Sequence, residues 1–207
     1  TRNTAVIKFS NQYYAVEESC RPVKLAYDEN KELRYDGRSK TISRMSVHKP
    51  DEDTIFSYGY ESIPLKINNT IEIPWHPKKY PFLVHDCKRT EDNKFLIFPL
   101  MSTSMGRMAD YLKKIIAMPF DDHANKAGWL IHDIKNNKCE EIRMDEYADI
   151  FHISHIKHMY KNVYKIYASF VYNFPSWLAG VGKLDIRLKE VILDLDNNKV
   201  VKKVDTG

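Results

Sequence analysis

The sequence predicts an all-β fold with one amphipathic helical insertion. Most of its 207 residues fall into short runs rich in Val, Ile, Tyr and Phe. Polar turns separate these runs at intervals of about ten residues, which is typical of a sandwich, a barrel or a propeller. Hydrophobic residues make up 43% of the chain and aromatic residues 12%, enough for a packed core.

The expected strands follow one another along the chain, and most are bounded by a turn. Ser10-Asn11-Gln12 separates the first two strands, and Asn68-Asn69 interrupts a later one. A turn containing Asp, Asn and Lys at 133–138 recurs at 194–199, which is weak evidence for a repeated hairpin. The predicted strands cover residues 5–9, 13–16, 23–27, 33–35, 54–60, 66–73, 94–98, 128–133, 140–144, 163–172, 184–195 and 199–204.

Residues 102–118 break the β pattern and predict a helix. Ser102, Thr103 or Ser104 could cap its beginning. Apolar residues recur at helical spacing, and charged residues lie between them. Two interpretations stay open: the apolar face packs on a sheet, or it lies on a membrane surface with help from neighbouring lysines. The residues of this face that could contact a membrane are Met105, Met108, Leu112, Ile115 and Ile116.

Composition and motifs exclude several classes of function. The net charge is only +4 and no basic run stands out, which argues against nucleic-acid binding. No apolar run approaches the roughly 18 residues needed to span a bilayer. Three cysteines in no motif indicate reduced thiols and a cytoplasmic location. The sequence has neither a Gly-rich phosphate loop nor a G-x-S-x-G nucleophile motif.

Three histidines in strand-like contexts are candidate metal ligands: His48, His85 and His152. They lie too far apart in sequence for a local metal finger, but ligands contributed by successive sheets could have this spacing. Neutral imidazole is a common metal ligand, and histidines without a cysteine pair suit Fe(II) as well as zinc. Each histidine taken alone is also compatible with a purely structural role.

A local zinc site is an alternative for the run that contains His152, His155 and His158. Side chains alternate between the two faces of a strand. We therefore expect His152 and His158 to share one face and His155 to lie on the other. That arrangement does not form a compact metal site by itself.

Four stretches of the sequence occur in the order, and with the spacing, of the motifs of one family. They resemble N-T-x-h-h … h-A-h-x-E-x-x-x-P at 3–22, T-A-H-P-x-h-D … h-F-G-Y at 46–60, h-h-H-D-F-x-h-T-x-N-Y-h-h-F-P-x-x-P-L at 82–100, and the start of h-F-H-x-x-N-A-Y-E at 150–152, where h is hydrophobic. By these motifs the chain resembles the carotenoid cleavage oxygenases. That family includes apocarotenoid oxygenases, lignostilbene dioxygenases and the vertebrate retinoid isomerase.

The resemblance implies a portion of a seven-bladed β-propeller, so residues 1–207 are expected to form an incomplete propeller domain that lacks N-terminal and C-terminal blades. In the family, four histidines from different blades hold one Fe(II). The motifs place His48, His85 and His152 as three of these ligands. Glu18 occupies the position of a glutamate that hydrogen-bonds a ligand imidazole. The fourth histidine and the other glutamates are expected beyond this sequence.

The function implied by the resemblance is that of an Fe(II) dioxygenase that uses O2. It would cleave a conjugated double bond of a hydrophobic polyene, a carotenoid or an apocarotenoid, to two carbonyl products. Glu17 stands where phenolic stilbene cleavers usually carry a lysine, which favours carotenoids over stilbenes. This portion alone is expected to be inactive, and a metal-free propeller that serves as an interaction module is the alternative. Peripheral membrane contact is expected because such substrates partition into membranes.

Overall fold

Every regular element in the described part of the chain is a β-strand, so the all-β prediction is confirmed. In the described ranges, sixteen strands form four antiparallel sheets. The predicted helix falls outside the described residues, except for Ser102, which ends a strand. Within the described ranges, no helix has the length and apolarity that crossing a bilayer requires. The computed structural model describes residues 4–17, 20–42, 45–57, 65–75, 82–84, 86–102, 126–172 and 185–206.

The first sheet is a four-stranded meander in which each strand pairs with the next one in sequence. Ser10 and Asn11 adopt φ values of 49° and 61°, as the tight turn of the first hairpin requires. Its strands are β1 (Thr4–Phe9), β2 (Gln12–Glu17), β3 (Val23–Tyr27) and β4 (Leu33–Arg38).

The second and third sheets differ in size. The second sheet has three very short strands: β5 (Phe56–Ser57), β6 (Lys66–Ile67) and β7 (Ile71–Glu72). The third sheet runs in the order β12-β11-β10-β8, and β9 also pairs with β10. Its strands are β8 (Phe82–Leu83), β9 (Lys88–Arg89), β10 (Phe95–Ser102), β11 (Lys126–Asp133) and β12 (Lys138–Tyr147).

The fourth sheet is again a meander of consecutive strands, with β13 at one edge of the part of the sheet that the structure describes. The first strand of this sheet contains three register shifts, each of which displaces the alternation of side chains. The strands are β13 (Asp149–Tyr160), β14 (Val163–Tyr172), β15 (Asp185–Asp194) and β16 (Lys199–Asp205).

The third sheet is buried on both faces, as its strand β10 shows. Ile97 packs into a core shared with the fourth sheet, where Phe170 is also buried. Its neighbours Leu96 and Phe98 pack into a second core with Phe56 of the second sheet. Successive residues of a strand point to opposite faces, so a continuous apolar run can serve two cores. The second, third and fourth sheets are therefore layered face to face.

A third, smaller core joins the first sheet to the segment that leads into the second sheet. Ile7, Tyr14 and Val16 of the first sheet pack there against Met45 and Ile55. This contact fixes the position of the segment between those two residues, which contains His48.

Candidate metal centre

His48 lies in a loop that is anchored to the second sheet through its own backbone. The N–H of Ser46 donates to the carbonyl of Phe56 over 2.9 Å. The Ser46 hydroxyl in turn accepts the N–H of His48 over 3.0 Å. Both Met45 and Ser46 are fully buried, so the loop cannot shift without exposing core. The side chain of His48 is 28% exposed to solvent.

His152 lies near the start of β13, where a register shift follows Ile150. Its N–H donates to the hydroxyl of Ser169 in β14 over 3.2 Å. Its ring packs edge-on against Phe151, with a centroid distance of 4.8 Å and an interplanar angle of 79°. The bulge and these contacts aim the imidazole toward His48.

The two imidazoles meet although they come from distant parts of the chain. The ring centroids of His48 and His152 lie 4.6 Å apart at an interplanar angle of 55°. Asp86, which lies between β8 and β9, faces both rings. Its Oδ1 lies 4.0 Å from Nδ1 of His48, and its Oδ2 lies 3.6 Å from Nδ1 of His152.

Asp86 is held rigidly by main-chain donors. Its side chain is 2% exposed. The N–H of Cys87 donates to Oδ1 over 2.7 Å and the N–H of Ile153 donates to Oδ2 over 2.8 Å. Burial alone raises the pKa of Asp86, but the interactions with His152, Ile153 and His48 outweigh burial, and the pKa lies below its ordinary value. The carboxylate is therefore the charged member of the group at neutral pH.

Among the described residues, this is the only group of three or more His, Cys, Asp or Glu side chains near enough to one another to hold a metal ion. One candidate ligand atom from each of His48, Asp86 and His152 lies within 4.8 Å of the others. The two imidazole nitrogens suit first-row metals such as Fe(II), Co(II) and Zn(II), and a carboxylate close beside them adds a negative charge that favours a cation. The donor set thus fits the iron that the sequence resemblance implies.

The remaining predicted site residues lie outside the described part of the chain. This holds for His85 and Glu18, and for the membrane-facing candidates Met105, Met108, Leu112, Ile115 and Ile116. His85 and Glu18 stay predictions of the sequence, as do the five apolar residues. Of the three predicted histidine ligands, the structure brings together His48 and His152.

The predicted distribution of histidines along β13 was wrong. His152 pairs with Ser169 and His155 pairs with Tyr167, so these two histidines share a face, while His158 pairs with Tyr164 on the other face. The register shifts within β13 cause the difference, because each extra residue inverts the alternation that follows it.

The other two histidines of this run have contacts of their own. The His155 ring stacks on Tyr167 with a centroid distance of 6.4 Å. The Nε2 of His158 is 2.7 Å from the carbonyl of Lys161. The local zinc alternative loses support, because His158 is turned away from His152.

Asp86 is the site residue that the sequence reasoning missed. In the motif at 82–100 it is only the acidic residue after His85, and no carboxylate is predicted among the candidate ligands. One signal was available. Asp86 is a single acidic residue that closely follows the apolar run Phe82-Leu83-Val84, and an acid next to a strand that is expected to be buried needs partners.

No family model matches the sequence, and no curated protein matches it either. Solved structures do match. A variant of the Synechocystis apocarotenoid oxygenase is 12% identical, with a TM-score of 0.64 over 98% of this chain and 48% of that one. The Pseudomonas brassicacearum lignostilbene dioxygenase is 15% identical, with a TM-score of 0.64 over 96% of this chain and 46% of that one.

A cobalt-substituted form of the Synechocystis protein is also similar, at 14% identity and a TM-score of 0.63, with 98% of this chain and 48% of that one covered. The chain thus spans about half the length of the solved proteins it matches. Likeness at such low identity reports on the fold. The structural comparison therefore confirms the resemblance seen in the sequence: this chain has the fold of about half of an apocarotenoid or lignostilbene oxygenase.

Proposed function

We propose that this chain is part of a non-haem Fe(II) dioxygenase that cleaves a conjugated carbon–carbon double bond. The observation that carries the proposal is the meeting of His48 and His152 around the buried Asp86. The fold supports it, because the similar solved structures are those of an apocarotenoid oxygenase and a lignostilbene dioxygenase. We propose that the layered sheets are an arc of the seven-bladed propeller that the resemblance implies, and that residues 1–207 form an incomplete domain.

In this proposal His48 and His152 hold the metal together with His85, and Glu18 hydrogen-bonds one of the ligand imidazoles. When bound, Fe(II) supplies the activation of O2 that yields two carbonyl products. The chain itself orients the imidazoles and keeps a negative charge beside them on Asp86. By motif the chain supplies three of the four histidines, so we propose that this portion alone is inactive.

The proposed substrate is a hydrophobic polyene, either a carotenoid or an apocarotenoid. Glu17 in place of a lysine favours this class over phenolic stilbenes, which would be cleaved by the same iron chemistry. We propose a cytoplasmic location with peripheral membrane contact through Met105, Met108, Leu112, Ile115 and Ile116.

A propeller that serves as a metal-free interaction module is the competing function. This alternative predicts that the imidazoles of the candidate ligands point away from one another or form hydrogen bonds with the backbone. The 4.6 Å separation of the His48 and His152 rings supports the metal site instead.

Metal analysis of the purified chain tests the proposed function. Loaded with Fe(II) without oxygen and dialysed, the wild-type chain is expected to retain about one ion per molecule. His48→Ala and His152→Ala are expected to retain almost none. His155→Ala is the matched control, since it lies on the same strand and stacks on Tyr167. A wild-type chain that retains no metal, or a loss confined to His155→Ala, contradicts the proposal.

A further inference from the structure

The carboxylate of Asp86 is placed between two imidazoles in a nearly symmetric way. Oδ1 faces Nδ1 of His48 at 4.0 Å, and Oδ2 faces Nδ1 of His152 at 3.6 Å. Each oxygen therefore serves one ring. A single side chain that faces the same nitrogen of two rings can control both of them.

The orientation of Asp86 is set by two separate segments of main chain. The N–H of Cys87, its own neighbour, donates to Oδ1, and the N–H of Ile153 in β13 donates to Oδ2. The side chain is 2% exposed, so water does not compete for these positions. Rotation of the carboxylate would leave two buried N–H groups without acceptors, at a cost of about 1–3 kcal/mol each.

The hydrogen bonds of the carboxylate decide which ring nitrogens carry protons, because both of its oxygens accept a main-chain N–H and so meet the rings as acceptors. An ionised carboxylate only accepts hydrogen bonds, whereas a neutral imidazole donates from one nitrogen and accepts at the other. A proton on Nδ1 points toward Asp86 in both rings, while the opposite tautomer would set two lone pairs against the negative oxygens. Nε2 of each ring is then left as the atom that can bind a metal.

From this geometry we propose that Asp86 is a positioning residue that fixes the Nδ1–H tautomer of both His48 and His152, so that both present Nε2 to the metal. The inference rests on the proposed metal site and adds the residue that organises it. Each oxygen of Asp86 uses one lone pair for a main-chain N–H and directs the other at an imidazole. Asp86 therefore acts through the two rings and is not itself a ligand.

The tautomers can be measured in the metal-free, wild-type chain. Long-range ¹H–¹⁵N correlations of histidine-labelled protein at about pH 8 distinguish a proton on Nδ1 from one on Nε2. His48 and His152 are expected to carry it on Nδ1. His155, which is exposed, is the internal reference and is expected to show the Nε2–H form that free imidazole prefers. A proton on Nε2 of either His48 or His152 overturns the proposal.

A second measurement uses Co(II) as the probe. Asp86→Asn is expected to lower Co(II) affinity by about 10- to 100-fold while the energies of the cobalt absorption bands stay unchanged. Asp92→Asn is the matched control, a neighbouring carboxylate that contacts Tyr164 and no imidazole of the site, and its affinity is expected to stay at the wild-type value. Unchanged affinity in Asp86→Asn, or shifted bands that mark Asp86 as a ligand, contradicts the inference.

These two measurements separate the inference from the proposed function. If the wild-type chain binds no Co(II), the proposed metal site fails, while the tautomers of His48 and His152 still test Asp86 by themselves. If Asp86→Asn does not fold, the spectrum of the wild-type chain decides.

Discussion

Asp86 and Asp92 lie in the same short segment and both reach the fourth sheet, yet their surroundings differ. Asp92 accepts hydrogen bonds from the hydroxyls of Tyr164 and Thr90, each over 2.8 Å. Asp86 accepts from two main-chain N–H groups and faces two imidazoles at 3.6 and 4.0 Å. The Asp92 carboxylate stabilises the contact between sheets. The Asp86 carboxylate instead faces two imidazoles that can bind a metal ion.

The segment from Asp86 to Asp92 also protects an edge of the fourth sheet. Among the described strands β13 lies at an edge of its sheet, and edge strands expose unpaired N–H groups. The N–H of Ile153 donates to Asp86, and farther along the strand the N–H of His158 donates to Glu91 over 3.0 Å. Acidic side chains thus take the place of a neighbouring strand, and the one next to His152 also belongs to the site.

The largest expected effect is that of replacing Asp86 by a residue of similar size without an acceptor. Asp86→Leu leaves the buried N–H groups of Cys87 and Ile153 unpaired, so we expect the free energy of unfolding to fall by about 3 kcal/mol. Urea denaturation at about pH 7 measures this loss. If Asp86→Leu lowers the free energy of unfolding by less than Asp92→Leu does, the main-chain hydrogen bonds of Asp86 do not hold the segment in place.

The two halves of the site differ in how far they could be predicted from sequence. His48 and His152 were found because imidazoles are the usual metal ligands and because their neighbours matched family motifs. Asp86 was missed because its role depends on a contact between the segment after β8 and Ile153, which is 67 residues away. No periodic pattern marks a single acid whose partners come from another sheet.

An intermediate effect is expected for Asp92→Asn. Burial alone raises the pKa of Asp92, but hydrogen bonds from Tyr164, Thr90 and Lys94 outweigh it and lower the pKa to about 2. Since this value lies below that of the unfolded chain, the stabilisation is fully present above about pH 4 and is lost as the pH falls through about 2. At neutral pH we expect a loss of about 2 kcal/mol.

Urea denaturation of the wild-type chain and of Asp92→Asn along a pH series measures this effect. The difference in unfolding free energy is expected to shrink toward zero as the solution is acidified from neutral pH to about pH 2. Asp36→Asn, at an exposed position, is the control and is expected to change stability by less than about 0.5 kcal/mol. A difference that stays constant with pH would mean that the charge of Asp92 is not what stabilises the contact.

The fold was predicted more completely than the site. Short runs of β-prone residues between polar turns were enough to predict an all-β chain, and the hairpin turn at Ser10 and Asn11 was found from composition. The side chains on each face of β13 were not predicted correctly, because the bulges of this strand depend on how β14 pairs with it. His155 and His158 were consequently assigned to the wrong faces.

The smallest effect is expected at the exposed end of the segment, for Glu91→Gln. The amide oxygen of glutamine can still accept the N–H of His158, and at an exposed position the lost charge contributes little, so stability should change by less than about 0.5 kcal/mol. Hydrogen exchange of the His158 amide measures the contact directly: protection should persist in Glu91→Gln and fall in Glu91→Ala. If Glu91→Gln instead lowers the free energy of unfolding as much as Asp86→Leu does, the difference in burial between Glu91 and Asp86 does not determine how strongly each acid stabilises β13. The contrast between Asp86 and its neighbours would then come from charge alone.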